Sequence, residues 1–230
     1  MGEVNMGVCP ICGKETGEII PVRWDHGRQE LEKSWKYYRC GECGSCFLED
    51  MKKWTGADYA EKIYNGDYGK VDVEYDGTRI RKNLDRIKDL LRRVGSPKRV
   101  LDYGGGNGLL ADLLSESGYE SYCFDPFNRC DEVSGKFGAV TAIEVLEHEI
   151  DSDKIFSMVT DWLNPGGFFF ATTEPVDCKN VSDWFYANPR AGHALLYSRR
   201  GLVSAGEKHG LTLVWSRDNW HVWRKREVTD

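Results

Sequence analysis

The stretch RVLDYGGGNGLLADLL, Arg99 to Leu114, constrains this chain more than any other. An apolar run ends at an acidic residue, four glycines fall within five positions, and an apolar helical pattern then resumes. A strand, a glycine turn and a helix in that order open a parallel α/β sheet. Glycine at the turn lets backbone approach a ligand that a side chain would keep away. The rhythm continues downstream. YESYCFD and GAVTAIEV read as strands, SDKIFSMVTDWL as a helix capped by Asp151, and FFFATT after the turn NPGG as another strand. SRRGLVSAGEKHG reads as a helix capped by Ser198, and LTLVW with NWHVWRK as a closing strand pair. Upstream, Ile80, Leu84, Ile87, Leu91 and Val94 follow helical spacing, with Arg and Lys on the other face.

Spacing narrows the ligand. A phosphate-cradling loop needs GxxxxGK followed by Ser or Thr, and none is present. The dinucleotide fingerprint would need Gly or Ala at position 109, where Leu109 stands. An acidic residue followed by GxGxG does fit: Asp102, Gly104, Gly106 and Gly108.

With that motif the sequence resembles the class I S-adenosylmethionine-dependent methyltransferases, from about Lys98 to the C-terminus. The resemblance implies that Gly104, Gly106 and Gly108 admit the amino-acid portion and ribose of the cofactor, and that Asp102 helps hold its methionine end. It places Asp125, 17 residues past Gly108 in CFDPF, at the end of the second strand, accepting from both ribose hydroxyls. AIEVLEH is similar to the family's fourth-strand motif, and LNPGGFFFATT to the start of its fifth strand. One departure stands out. Only about a dozen residues separate Asp125 from GAVTAIEV, where the family fits a helix, a third strand and a loop. The third strand is expected to be absent or very short, and Asp131 or Glu132 to be the candidates for the acidic group near the adenine amine.

The N-terminal cysteines carry a separate signal. CPIC supplies Cys9 and Cys12, CGEC supplies Cys40 and Cys43, and 27 residues intervene. Two residues between cysteines let a tight turn present both thiolates to one ion, and two such turns make a closed tetrahedral site suited to structural zinc. The other readings are metal-free CxxC turns or a redox pair, though a thioredoxin-like motif would lie between a strand and a helix. Cys46 is either an alternate partner for Cys43 or a small buried residue. YRCGECGSCF, YAEKIYNGDY and then the methyltransferase core resemble a methyltransferase subgroup with an N-terminal zinc ribbon. The expected architecture is an α/β Rossmann-like methyltransferase sheet with helices on both faces, preceded by a small zinc-ribbon module. The boundaries read as ribbon 1–50, helical connector and cap 51–97, and methyltransferase domain 98–230.

Methyl transfer is an in-line displacement at a sulfonium carbon, so the protein mainly aligns the nucleophile. A hydroxyl or ammonium acceptor must also lose a proton, which a base near neutral pKa assists. His148, after the fourth strand, and His193, in RAGHALLYS, are the leading candidates; a structural hydrogen-bonding role is the alternative for each. His26, His209 and His221 have no comparable context. Glu144 could touch the cofactor's amino group or the substrate, and Trp184, Phe185, Tyr186 and Tyr197 either line a pocket or pack. Glu144, Glu147 and His148, joined by His193, resemble the ExxEH plus distal His that holds a second divalent metal in some class I O-methyltransferases. ExxEH also occurs in relatives without metal.

Composition sets the partners. A formal net charge of -6 argues against a generic nucleic-acid binder, and RRVGSPKR reads as a solvated helix end. No window approaches the length of an apolar membrane span, and MGEVNMGVCP lacks a secretory pattern, so a cytoplasmic protein is expected. The resemblance implies a small-molecule acceptor such as a sugar, glycan precursor or secondary metabolite, methylated on oxygen or nitrogen. Two readings compete with it. One is an RNA- or protein-modifying enzyme that uses the ribbon for recognition, and the other is a non-catalytic adaptor that binds S-adenosylmethionine. Oligomeric state is left open.

Overall fold

Short apolar runs separated by glycine and proline turns form strands here, and the stripes of helical period cover them. The computed structural model describes residues 6–24, 30–74 and 77–227. In chain order its first strands are β1 (Gly7–Val8), β2 (Glu15–Thr16), β3 (Glu18–Trp24), β4 (Glu30–Arg39) and β5 (Cys46–Leu48). Helices α1 (Gly56–Lys62), α2 (Tyr68–Val71) and α3 (Thr78–Arg93) follow. Next come β6 (Arg99–Tyr103), α4 (Leu109–Glu116), β7 (Glu120–Phe124), β8 (Phe137–Ile143), α5 (Ser152–Trp162) and β9 (Leu163–Thr172). The chain closes with β10 (Leu195–Leu196), α6 (Arg199–Lys208), β11 (Leu211–Arg217) and β12 (Trp220–Lys225).

These elements divide into two compact units. The sheet unit comprises Val73–Leu146, Phe156–Thr173 and Gly206–Asp230; the ribbon unit comprises Met1–Asp72, Glu147–Ile155 and Glu174–Ala205.

In the sheet unit six strands run in the order β11-β12-β9-β8-β6-β7. β7, β6, β8 and β9 are parallel, and β12 joins β9 antiparallel, with β11 antiparallel beyond it. The central strands read as continuous apolar runs because both faces are covered. Ile87 and Leu91 of α3 and Leu110 and Leu114 of α4 pack on Val100, Ala139, Phe170 and Val222. On the other face Phe156 of α5 meets Phe169 and Trp223, with ring centroids 5.9 and 5.6 Å away. Helices therefore lie on both faces, as the sequence pattern implies. Among the described residues no third parallel strand forms between β7 and β8; the chain makes only an isolated antiparallel bridge from Phe124 to Cys130. The predicted strand after NPGG begins earlier, since β9 starts at Leu163.

In the ribbon unit β1 pairs with β2, and four antiparallel strands run β10-β5-β4-β3. Thr55 and Asp58 close a reciprocal capping box on α1. Ser198 caps α6, accepting from Gly201 N at 2.8 Å, and Asp151 accepts from Lys154 N at 3.2 Å at the start of α5. His26 lies outside the described residues. No helix among the described residues is long and apolar enough to cross a membrane.

Candidate functional site

Three constellations emerge, one in the sheet unit and two in the ribbon unit. In the sheet unit β6 delivers Asp102 into the interior, where it is 2% exposed. The register sets Asp102 beside Thr141 of β8, whose hydroxyl donates to Asp102 Oδ1 at 2.7 Å. A single threonine within an otherwise apolar strand was the only sequence sign of this partner. Asp102 Oδ2 makes no hydrogen bond among the described residues. Burial, opposed by the Thr141 hydrogen bond and aided by the charge of Asp125, pushes the Asp102 carboxyl up to about 7.

The glycine loop bends immediately over this carboxylate. A Cβ at Gly105 would overlap Asp102 Oδ2, so no other residue fits there without a shift. Gly106 has φ +58° and open space on the side where a Cβ would stand, the form of a cradle for a ligand. Gly104 N donates to Phe124 O at 2.8 Å and Gly108 N to Gly105 O at 3.0 Å, so the loop is tied to β7 and to itself.

Asp125, just past β7, organises the opposite wall. Its Oδ2 accepts from Gly106 N at 2.9 Å, and its Oδ1 accepts from Phe127 N at 2.8 Å and Asn128 N at 3.0 Å. Arg129 N donates to Gly106 O at 3.1 Å, and Asp125 N to Arg129 O at 2.8 Å. This compact turn occupies the place where the sequence lacked room for a helix and strand. Asp131, a candidate for the adenine contact, is engaged elsewhere. It pairs with Arg129 Nε at 2.8 Å and accepts from Cys123 N at 2.9 Å. Arg129 also pairs with Asp112 at 2.6 Å, so the guanidinium staples the turn to α4. Sequence reasoning gave Arg129 no role.

Glu144 follows β8 in a left-handed conformation, φ 53°, which non-glycine residues rarely adopt. Its N donates to Thr172 Oγ1 at 2.9 Å, which holds that turn.

In the ribbon unit Cys9, Cys12, Cys40 and Cys43 converge, with all four sulfurs within 4.8 Å of one another. The pairs Cys9–Cys43 and Cys12–Cys40 lie 3.7 and 3.4 Å apart. A tetrahedral ion with Zn–S of about 2.3 Å requires an S–S edge of roughly 3.8 Å, so the cluster fits zinc in donor type and size. Cys43 N donates to Cys40 Sγ at 3.5 Å. Cys46 is outside the cluster; it is fully buried in β5.

The second ribbon-unit cluster is Glu147, His148 and His193, again with one donor atom from each within 4.8 Å of the others. Glu144 is not part of it. Glu147 is fully buried, and its Oε1 lies 3.8 Å from His148 Nε2. The His148 and His193 rings meet edge to face at 4.9 Å. His193 Nδ1 lies 2.6 Å from the carbonyl oxygen of Tyr186. A carbonyl only accepts, so Nδ1 carries the proton and the lone pair sits on Nε2. The Tyr186 ring lies tilted by 58° against His193 with centroids 4.3 Å apart, and the Tyr64 ring centroid lies 6.1 Å from that of His148. Trp184 and Tyr186 are buried, while Phe185 is 59% exposed. Tyr197 is fully buried, and burial, partly opposed by the neighbouring Ser152, pushes its phenol well up. The other histidines have structural surroundings. His221 is fully buried with Nδ1 2.9 Å from Ser216 Oγ and Nε2 3.0 Å from Thr173 O. His209 stacks on Phe156.

Known proteins bear on this geometry. A family model described as a methyltransferase domain matches residues 75–216, more than half of the chain. The Ubiquinone biosynthesis O-methyltransferase of Idiomarina loihiensis is 28% identical over 131 residues, covering 45% of this chain and 52% of that protein. The chain thus spans about half the length of the curated relative it matches. The crystal structure of TnmH superposes with a TM-score of 0.50 at 14% identity, over 74% of this chain and 61% of that one. Magnesium protoporphyrin IX methyltransferase from Synechocystis PCC 6803, with bound SAH, superposes at 0.47 and 15% identity, over 76% and 95%. With the glycine cradle between Asp102 and Asp125 in place and the family model spanning the strands around it, the chain belongs to the methyltransferase-domain family.

Proposed function

We propose that this methyltransferase acts on a hydroxyl or amine of a small molecule such as a sugar, glycan precursor or secondary metabolite. The name of the curated relative, an O-methyltransferase, favours oxygen. The observation that carries the reading is the imidazole pair His148–His193 beside the buried carboxylate of Glu147, with the His193 proton fixed on Nδ1. A ring held that way offers Nε2 as proton acceptor. As the acceptor's lone pair forms the new bond to the methyl carbon and the C–S bond breaks, the acceptor proton passes to an imidazole. Gly104, Gly106 and Gly108 admit the cofactor's backbone-facing side. Asp102 faces its cationic methionine end, Glu144 its amino group, and Asp125 Oδ2 takes a ribose hydroxyl on the lone pair left beside Gly106 N.

The same three side chains offer two imidazole nitrogens and a carboxylate, the donor set of a divalent transition ion. Such an ion, when bound, would lower the pKa of an acceptor hydroxyl. Methyl transfer that is lost on chelation and restored by magnesium or manganese supports the metal-assisted form; activity indifferent to both leaves proton transfer to the histidines alone. Cys9, Cys12, Cys40 and Cys43 hold one structural zinc in this reading, and a thiolate-held metal favours a reducing compartment such as the cytoplasm. Labelled S-adenosylmethionine incubated with fractionated extract tests the acceptor class: label entering small-molecule fractions supports the reading, and label confined to RNA or protein opposes it.

Asp102 adds a pH signature. Its folded-state carboxyl titrates near 7, and a cationic cofactor favours the ionised form. Cofactor affinity should therefore rise as pH increases from below to above 7, with proton release on binding near that value. Calorimetry of S-adenosylmethionine binding in two buffers of different ionisation enthalpy measures the released proton; a pH-independent affinity without proton release contradicts this assignment.

A further inference from the structure

The ribbon reaches His193 through an unbroken series of hydrogen bonds within the ribbon unit. The segment His193–Ser198 lies along β5, the strand that begins three residues after Cys43. Tyr37 of β4, fully buried, donates its hydroxyl to His193 O at 2.5 Å. Leu48 N donates to Ala194 O at 2.9 Å, Leu195 pairs with Phe47, and Leu196 pairs with Cys46. At the far end Ser198 N donates to Ser45 Oγ at 3.0 Å, and Ser198 Oγ donates to Cys43 O. On its other side the segment holds the acidic member of the cluster, since Ala194 N donates to Glu147 O at 2.7 Å.

The CGEC turn meets this segment through Cys43 O, and the CPIC turn meets the helix that follows it. A Cβ at Gly201, in the first turn of α6, would overlap Ser45 Oγ and stand 3.2 Å from Ile11, the residue inside the CPIC turn. Glycine at this position lets α6 start against Ser45 and the CPIC turn at once. Register is the quantity at stake. A one-residue slip of β10 on β5 would turn alternate side chains to the opposite face, and His193 is the residue two before that strand. Burial keeps the Tyr37 phenol protonated, hence a donor at any ordinary pH.

We propose that the tetrathiolate centre is a positioning device for the Glu147–His148–His193 cluster, with Tyr37 and the Ser45–Ser198 pair as its positioning residues. The inference rests on the proposed role of His193 in methyl transfer. The ribbon then serves the reaction from inside the unit that bears the histidines, rather than as a separate recognition module. Zinc, when bound, would fix the Cys40–Cys43 turn from which β5 departs.

Nitrogen-15 spectra of the imidazole side chains test this on the full, zinc-loaded chain. The wild type should show His193 as a single Nδ1-protonated species. Tyr37→Phe, which conserves shape and removes one hydrogen bond, and Ser45→Ala should each convert that signal into a mixture of tautomers. Both should keep one equivalent of zinc and bind S-adenosylhomocysteine within about twofold of wild type, since a twofold change is only about 0.4 kcal/mol. If both variants retain the wild-type His193 signal, the proposal is wrong, whether or not their activity falls. His193→Gln separates the two levels: undiminished methyl transfer by that variant refutes the catalytic role of His193 and leaves the positioning result standing.

Discussion

Asp125→Ala is expected to weaken S-adenosylhomocysteine binding by roughly a hundredfold or more. Hydrogen bonds to a charged group contribute about 1.5–3 kcal/mol each, and every 1.4 kcal/mol is a factor of ten. The Asp125 carboxylate accepts from the N–H groups of Gly106, Phe127 and Asn128, so its loss releases the glycine loop and the turn after β7 together, along with the proposed ribose contact. Asp125→Asn should lose less, because the amide keeps one oxygen acceptor. Titration calorimetry measures both, and a near-wild-type affinity for the alanine variant would show that this carboxylate neither shapes nor contacts the cofactor site.

The second large effect belongs to the cysteines. With zinc at the four sulfurs, Cys43→Ser is expected to abolish zinc binding and the cooperative unfolding transition of the ribbon unit. Structural zinc contributes about 10–16 kcal/mol in zinc-finger peptides at neutral pH, while whole domains have net stabilities of only about 5–15 kcal/mol. Cys46→Ser should retain zinc, because Cys46 stands outside the cluster. Metal analysis with thermal unfolding distinguishes the two variants. Equal zinc content and equal melting in Cys43→Ser and wild type would contradict a zinc site at the four sulfurs.

Much of the fold was legible because its signals are local. The run from Arg99 to Leu114 specifies strand, glycine turn and helix from residues close in sequence, and the structure forms β6 and α4 there. The helical stripe Ile80, Leu84, Ile87, Leu91 and Val94 packs on the core as its period requires. The pairs CPIC and CGEC were legible because two-residue spacing is itself the geometry of a metal-binding turn. What escaped depends on contacts distant in sequence. Nothing local marks Tyr37 as the donor to His193, a partner 156 positions away, or Ser45 as the partner of Ser198. Asp131 looked available in the sequence and is bound to Arg129, whose role emerges only once the shortened turn folds back on α4. The sequence grouped Glu144 with Glu147, His148 and His193. Glu144 takes a left-handed backbone at the end of β8, and the cluster forms without it.

In the proposed reaction the acceptor's proton is handled at His193. Transfer of label from S-adenosylmethionine to the small-molecule fraction of an extract, compared between wild type and His193→Gln, tests it most directly. General-base catalysis contributes about 10²–10⁴-fold, so the variant should lose that much transfer while binding S-adenosylhomocysteine as tightly as wild type. Undiminished transfer by the variant, or no labelled small-molecule fraction with the wild type, would contradict the account.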